Sequence, residues 1–245
     1  MTILLDSAGS TNNHAKELIR GGRAHRLFIT AQEQIAGRGR GTNTWVSPRG
    51  GIYLSLAAPL TGRFSKESLG PRLALAVRRV LMARYDFGIT IKWPNDLLCR
   101  GQKLAGFLLE LVKSPTGQEV LIVGLGVNVN VTPERTQQMW YTPTSISREV
   151  GTTVDLPELT LALARDMVHA VYDETMSVTP DDVIREEILL CSATIGHEVT
   201  VLLPGGARIS GIARDVSRRF SLMLEHGGII TEVDAGDCFH STPEK

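Results

Sequence analysis

Between Leu69 and Tyr85 apolar residues recur at intervals of three and four, at Leu69, Leu73, Ala76, Val77, Val80 and Leu81, with arginines on the other face. This spacing lays one apolar stripe along a helix, so an amphipathic α-helix is predicted there. Ser10, Thr11 and Asn12 are capping residues ahead of a run that stops at Gly21 and Gly22, which predicts a short helix over Ser10–Arg20. Asp155, Pro157 and Glu158 supply a cap, an early proline and an acid three positions on, and a third helix should follow them to Tyr172.

Runs of strand character lie between the helices, at Leu27–Ala31, Gly51–Ala57, Thr90–Trp93, Lys103–Val112 and Val120–Val131. The last two meet at the turn residues Ser114, Pro115, Thr116 and Gly117, so they should form an antiparallel hairpin, and the sheet cannot be all parallel. The predicted fold class is therefore α+β, a mixed sheet layered with helices. From Gly196 onward the pattern changes to short β runs cut by Pro204-Gly205-Gly206, Ser217-Arg218-Arg219 and His226-Gly227-Gly228, as in a small β-barrel. With 245 residues in all, the chain divides into a first domain over 1–190 and a small one over 196–241.

Composition narrows the function classes. Hydrophobic residues at 42% and charged residues at 21% are ordinary for a soluble globular protein, and 26 basic residues balance 26 acidic ones. No excess of positive charge points to DNA or another polyanion, so any charge that matters is local. No segment reaches the roughly 18 apolar residues of a membrane span, and the N-terminus lacks the flank and apolar run of an export signal. A cytoplasmic protein with no membrane partner is expected. Cys99, Cys191 and Cys238 are too scattered for a disulfide framework or a CxxC metal site and are read as thiols without a chemical role. The six histidines show no HExxH or HxH spacing, which argues against a zinc site built from protein ligands alone.

Four segments could carry chemistry. Gly37, Gly39 and Gly41 alternate with Arg38 and Arg40, a loop whose backbone N–H groups and guanidinium forks suit a phosphate-bearing ligand; a basic surface loop is the plainer alternative. It is not a Walker loop, because no Gly-Lys-Ser or Gly-Lys-Thr follows. Lys92, Trp93, Pro94, Asn95 and Asp96 end a strand with an aromatic, an amide and a carboxylate that could hold magnesium or a ribose hydroxyl, or could simply make a turn. Lys103 opens an apolar strand in which Gly106 permits close approach; its ammonium either meets an anion or snorkels to solvent. Gly124 and Gly126 precede alternating valines and asparagines that place Asn128 and Asn130 on one face of a strand. A dinucleotide fingerprint is rejected there, since its third glycine is missing.

Taken in order, Ser10-Thr11-Asn12, Gln34, Gly37-Arg38-Gly39-Arg40, Trp45 with Ser47 and Pro48, Lys92 to Asp96, Lys103 to Gly106 and Gly124 to Asn128 resemble the biotin protein ligase family in its short form. The resemblance implies a catalytic domain akin to class II aminoacyl-tRNA synthetases and lipoate ligases, followed by an SH3-like barrel. It implies an ATP-dependent ligase that converts biotin and ATP to biotinyl-5'-AMP and passes biotin to a lysine of a biotin carboxyl carrier protein domain, with Mg²⁺ as the accompanying ion.

Position by position, the resemblance implies that Ser10, Thr11 and Asn12 line the biotin pocket, with Gln34 near the ureido ring. Gly37, Arg38, Gly39 and Arg40 would fold over biotin and the adenylate, and Lys103, with Gly106 beside it, would bind the biotin carboxylate and the α-phosphate. Lys103 and Arg40 are thus the candidate catalytic residues. Arg38, Arg40, Trp45, Lys92, Asn95, Asp96, Asn128 and Asn130 are the nucleotide positions, and Asp96 is the candidate metal ligand. The family's loop commonly continues Gly-Arg-Gly-Arg-x-Gly-Arg-x-Trp, whereas here Thr42 and Asn43 replace the later glycine and arginine.

The ligand motif starts at Ser10, so an N-terminal helix-turn-helix domain and a DNA-binding repressor role are not expected. Whether the chain forms a homodimer is open. Two other readings stand beside the ligase. One is a non-catalytic protein that binds biotin or its adenylate, and the other is a lipoate or octanoate ligase of the same superfamily.

Overall fold

The computed structural model describes residues 1–60, 65–136, 139, 141–172 and 179–240. Seven strands, β1 (Thr2–Ala8), β2 (Leu27–Gln34), β3 (Ile52–Pro59), β4 (Ile89–Lys92), β5 (Asp96–Cys99), β6 (Gln102–Lys113) and β7 (Glu119–Val127), make one sheet in the order β1-β2-β3-β7-β6-β5-β4. Only β1 and β2 pair in parallel, and the other neighbours are antiparallel. The mixed α+β sheet read from the sequence is the one found.

The central strand β7 explains how the two faces differ. Leu121, Val123, Leu125 and Val127 enter the larger core, which α2 (Leu69–Met82), α4 (Leu156–Tyr172) and α5 (Asp181–Leu190) complete. Val120 and Ile122 turn the other way, beneath Ala15, Leu18 and Ile19 of α1 (Thr11–Arg20). Side chains alternate along a strand, so the positions that follow on the α1 face are Gly124 and Gly126. There the apolar cover ends, and the sheet surface is free to carry something other than a helix.

The expected helices match α1, α2 and α4. Four elements escaped the sequence reading: β1, β5, α3 (Ile146–Val150) and α5. The strand expected over Val120–Val131 stops at Val127, because the next residues leave the ladder: the Asn128 N–H donates to the Leu104 carbonyl and the Asn130 N–H to that of Gly50.

Beyond α5 come β8 (Glu198–Leu202), β9 (Arg208–Val216), β10 (Leu222–His226), β11 (Ile229–Val233) and β12 (Asp237–His240), a five-stranded antiparallel sheet in the order β11-β10-β9-β8-β12. The barrel expected here is this curled sheet, wrapped on Val199, Val201, Leu222, Leu224 and Val233, with its ladder open between β11 and β12. It is fastened to the large sheet at the β4 edge. The Ile91 N–H donates to the Cys191 carbonyl, the Ala193 N–H donates back to Ile91, and the Trp93 indole N–H donates to the Phe220 carbonyl at 3.1 Å. Covering an edge strand in this way removes a row of unpaired backbone groups. Among the described residues no helix is long and apolar enough to cross a membrane.

One buried charge ties α5 to α2. Arg72, only 7% exposed, donates to Asp181 and to the Thr179 carbonyl, both at 2.6 Å. Burial works to raise the Asp181 carboxyl, but hydrogen bonds from Arg72, Ser65 and Ser68 outweigh it and hold it below the ordinary range. We expect Arg72→Ala to cost about 2–3 kcal/mol in urea unfolding at neutral pH, since it takes this donor from the Thr179 carbonyl and leaves the Asp181 carboxylate to the hydroxyls of Ser65 and Ser68 without a cation beside it. A depressed carboxyl contributes stability above its unfolded-state pKa and loses it as pH falls through the folded value, so the difference between variant and parent should shrink in acid.

Candidate active site

A cleft of about 640 Å³ opens where the glycine end of the large sheet faces the small sheet. Its floor follows from the strand register. Ser55, Gly124 and Leu108 lie in one row across β3, β7 and β6, and Tyr53, Gly126, Gly106 and Asp96 lie in the next, reaching β5. A Cβ at Gly124 would sit 2.4 Å from Asn12 Oδ1, and one at Gly126 would sit 2.4 Å from Trp45 Nε1. No side chain fits at either position while Asn12 and the Trp45 indole rest on the sheet. That is the reason for the Gly-Leu-Gly sequence.

One end of the cleft is polar and fully wired. Gln34 Oε1 accepts from the Thr11 N–H at 2.9 Å and from the Thr11 hydroxyl at 3.2 Å, while Gln34 Nε2 donates to Ser47 Oγ at 2.9 Å. Ser55 Oγ donates to Asn12 Oδ1 at 2.6 Å and lies 2.8 Å from Thr11 Oγ1. The Asn12 amide donates in turn to the Leu108 carbonyl and to Glu110. Thr11 and Asn12 are each 3% exposed, so this polarity is buried at the start of α1 and not displayed on the surface. Ser10 occupies the N-cap of that helix and is itself buried.

Glu110 organises the adjoining wall. It accepts from Lys16 Nζ at 2.6 Å and from Arg38 Nη2 at 3.1 Å, while Arg38 Nη1 reaches Asn13 Oδ1 at 2.7 Å. Burial pushes the Glu110 carboxyl up, but hydrogen bonds from Lys16 and Asn12 and the charges of Lys16 and Arg38 prevail and hold it below its ordinary value. Arg38 is thereby fixed along one flank of the loop. The loop itself is a narrow hairpin: Trp45 N–H donates to the Gly37 carbonyl, Gly39 N–H to that of Asn43, and Asn43 N–H to that of Arg40. Arg40 extends from its tip toward the small sheet.

Lys103 stands on the opposite wall, its side chain 13% exposed and its Nζ 2.9 Å from Asp96 Oδ2. The ammonium also lies 5.2 Å from the centroid of the Trp45 ring and 4.4 Å from that of Tyr141, so two aromatic faces and one carboxylate hold it in the cleft. A cation placed this way is poised for a second anion.

The structure brings together in the cleft Thr11, Asn12, Gln34, Arg38, Gly39, Arg40, Trp45, Lys92, Asn95, Asp96, Lys103 and Gly106 of the expected site residues. Ser10 and Gly37 stand next to it as helix cap and hairpin closure. Asn128 and Asn130 do not line it. The Asn128 amide donates to the Thr144 carbonyl at 2.9 Å, and Asn130 exchanges two hydrogen bonds with the Val154 backbone at 2.8 and 2.9 Å. Both fasten the segment that leaves Tyr141 against Lys103, whose own N–H donates to the Thr142 carbonyl. Trp93 lines the cleft while its indole N–H is committed to the small unit, and the Asn95 amide donates to the Phe107 carbonyl.

Sequence reasoning missed Ser55, Glu110, Lys16, Tyr141 and Asp237. Glu110 was within reach, since it follows Gly106 and Leu108 at period two and so shares their face. Among the described residues no three of His, Cys, Asp or Glu gather as metal ligands. Mg²⁺ commonly binds through one or two carboxylates plus the phosphates of its nucleotide, and Asp96 can serve as such a carboxylate.

Comparisons with known proteins give this geometry its context. The model of the biotin/lipoate A/B protein ligase family matches residues 5–130. A biotin--[acetyl-CoA-carboxylase] ligase of Mycobacterium tuberculosis is 32% identical over 220 residues, covering 87% of this chain and 79% of that protein. A ligase of the same description from Paracoccus denitrificans is 32% identical over 231 residues, covering 90% of this chain and 92% of its own length. A biotin protein ligase of Aquifex aeolicus, solved in complex with biotin and ATP, has a TM-score of 0.80 at 25% identity, with 98% of each chain covered.

Proposed function

The chain belongs to the biotin/lipoate A/B protein ligase family, and from that premise we infer that it is a biotin protein ligase whose cleft joins biotin to ATP and passes the biotinyl group on. The observation that carries this reading is Lys103, an ammonium held beside two aromatic rings and balanced, among the described residues, by Asp96 at hydrogen-bonding distance.

In the first step a biotin carboxylate oxygen attacks the α-phosphorus of ATP, the bond to the bridging oxygen breaks, and pyrophosphate leaves. Both reactants are anions. Lys103 would lower their repulsion by facing the carboxylate and the α-phosphate together, and Arg40 would cover them from the hairpin. Trp45, Lys92 and Asn95 would form the nucleotide side. A magnesium ion carried by the nucleotide would neutralise phosphate charge, with Asp96 as its protein carboxylate. In the second step a lysine amine of a biotin carboxyl carrier protein domain attacks the carbonyl carbon of the mixed anhydride and AMP leaves. The attacking groups come from the substrates, so the protein's task is placement and charge.

The wired polar end favours biotin over lipoate or octanoate. A ureido ring offers two N–H donors and a carbonyl that can trade into the hydrogen bonds among Thr11, Asn12, Gln34 and Ser55, whereas a dithiolane or an alkyl end offers this polar surface no hydrogen bond at all. Pyrophosphate release with Mg²⁺-ATP should therefore be driven by biotin at least about a hundredfold more efficiently than by lipoate or octanoate. Equal rates with lipoate would transfer the assignment to the other branch of the family.

A further inference from the structure

The hairpin over residues 37–45 touches the small unit at two points. Arg40 Nη1 donates to the Gly236 carbonyl at 2.8 Å, and Asn43 Nδ2 donates to Asp237 Oδ2 at 2.9 Å. We propose that Gly236 and Asp237 are the catch that holds this hairpin down over the cleft, so that Asp237 is a positioning residue for the lid and governs how long the activated intermediate stays enclosed. The second half of this proposal rests on the ligase reading, and the first half does not.

Both sides of the contact are built for it. On the lid, backbone hydrogen bonds at Gly37, Gly39 and Asn43 make the hairpin one piece, and Arg38 anchors its inner flank to Asn13 and Glu110, leaving the tip as the part that can swing. On the small unit, Gly236 has φ +152, and a Cβ there would lie 2.4 Å from Val201 Cγ1 and 2.7 Å from the Leu202 carbonyl oxygen. The turn into β12 is thus pressed flat on β8, and Asp237 is paired in register with Leu202. That fit fixes where the Gly236 carbonyl and the Asp237 carboxylate stand.

Electrostatics agree with the geometry. Burial lowers the Arg40 pKa from its ordinary value, while Asp237 on one side and Asp96 on the other raise it, so the guanidinium spans the catch and the Lys103–Asp96 pair. Asn43, which stands where the loop pattern carries an arginine, has its amide committed to Asp237.

The full chain should be compared with Asp237→Ala, Asp237→Asn, Asn43→Ala and the double variant Asn43→Ala/Asp237→Ala. Without ligand, the amides of Gly39, Asn43 and Trp45 should exchange about fivefold faster in Asp237→Ala, the scale set by one hydrogen bond. Asp237→Asn keeps an acceptor for Asn43 and should stay near the parent. With biotin and Mg²⁺-ATP but no acceptor, release of free biotinyl-5'-AMP should rise by a similar factor, and the double variant should release it no faster than either single one. Unchanged exchange in both Asp237→Ala and Asn43→Ala, or effects that multiply in the double variant, would overturn the catch. Altered exchange with no adenylate from any form, the parent included, would leave the catch standing and remove the ligase reading.

Discussion

Lys103→Ala is expected to lower formation of biotinyl-5'-AMP by at least about thirtyfold while the chain still folds. The Lys103 ammonium is the positive charge placed between Asp96, Trp45 and Tyr141, and the reaction brings a carboxylate and a phosphate to that place. Truncating one partner of a desolvated charge pair commonly costs about 2–5 kcal/mol, and each 1.4 kcal/mol or so is tenfold in rate. The loss should fall on kcat/KM for both biotin and ATP, because the cation serves the charge that develops between them. Folding is little affected, since Lys103 holds its strand through backbone bonds to Thr142 and Thr144. Single-turnover kinetics and a urea transition check both halves. A variant that forms adenylate at the parent rate removes Lys103 from the mechanism.

Gly126→Ala is the second large effect, and it comes from one methyl group. The added Cβ would lie 2.4 Å from Trp45 Nε1 and 2.5 Å from Cε2, so the indole must lift off the sheet into the cleft. Trp45 also packs beside Lys103, so both the nucleotide side and the ammonium would lose their positions. A misplacement of about 1 Å can cost a hundredfold, and a drop of that order in kcat/KM for ATP is expected. Stability should fall by about 1–3 kcal/mol from overpacking. Restored stability in the double variant Gly126→Ala/Trp45→Leu would identify the clash as the cause, and parent-like activity in Gly126→Ala alone would mean that Trp45 need not rest on that floor.

What could be read from the sequence followed the range of the interactions involved. Helix α2 declares itself because its stripe faces a core made by the helix as a whole. Strand β1 does not, because it lies at the sheet edge with Leu4 73% exposed, so its alternation carries no clear inside and outside. The motif residues around Lys103, Gly106 and Gln34 were legible because each sits in a distinctive local string. Asn128 and Asn130 were placed on the nucleotide from the same kind of string, yet their amides bind backbone at Thr144 and Val154, which no local pattern announces. Asp237 is further removed still: its lid partner is 194 positions away, and only the folded chain puts the two in contact.

The central claim is that the cleft performs chemistry on biotin and does not merely hold it. The most direct test is to incubate the full chain with biotin and ATP labelled at the α-phosphorus, in the presence of Mg²⁺ and without acceptor, and to look for a protein-bound species containing both biotin and the label. The account predicts biotinyl-5'-AMP in an amount close to one per active chain, with one pyrophosphate released for each. Biotin bound in the cleft with no label transferred and no pyrophosphate released would contradict it.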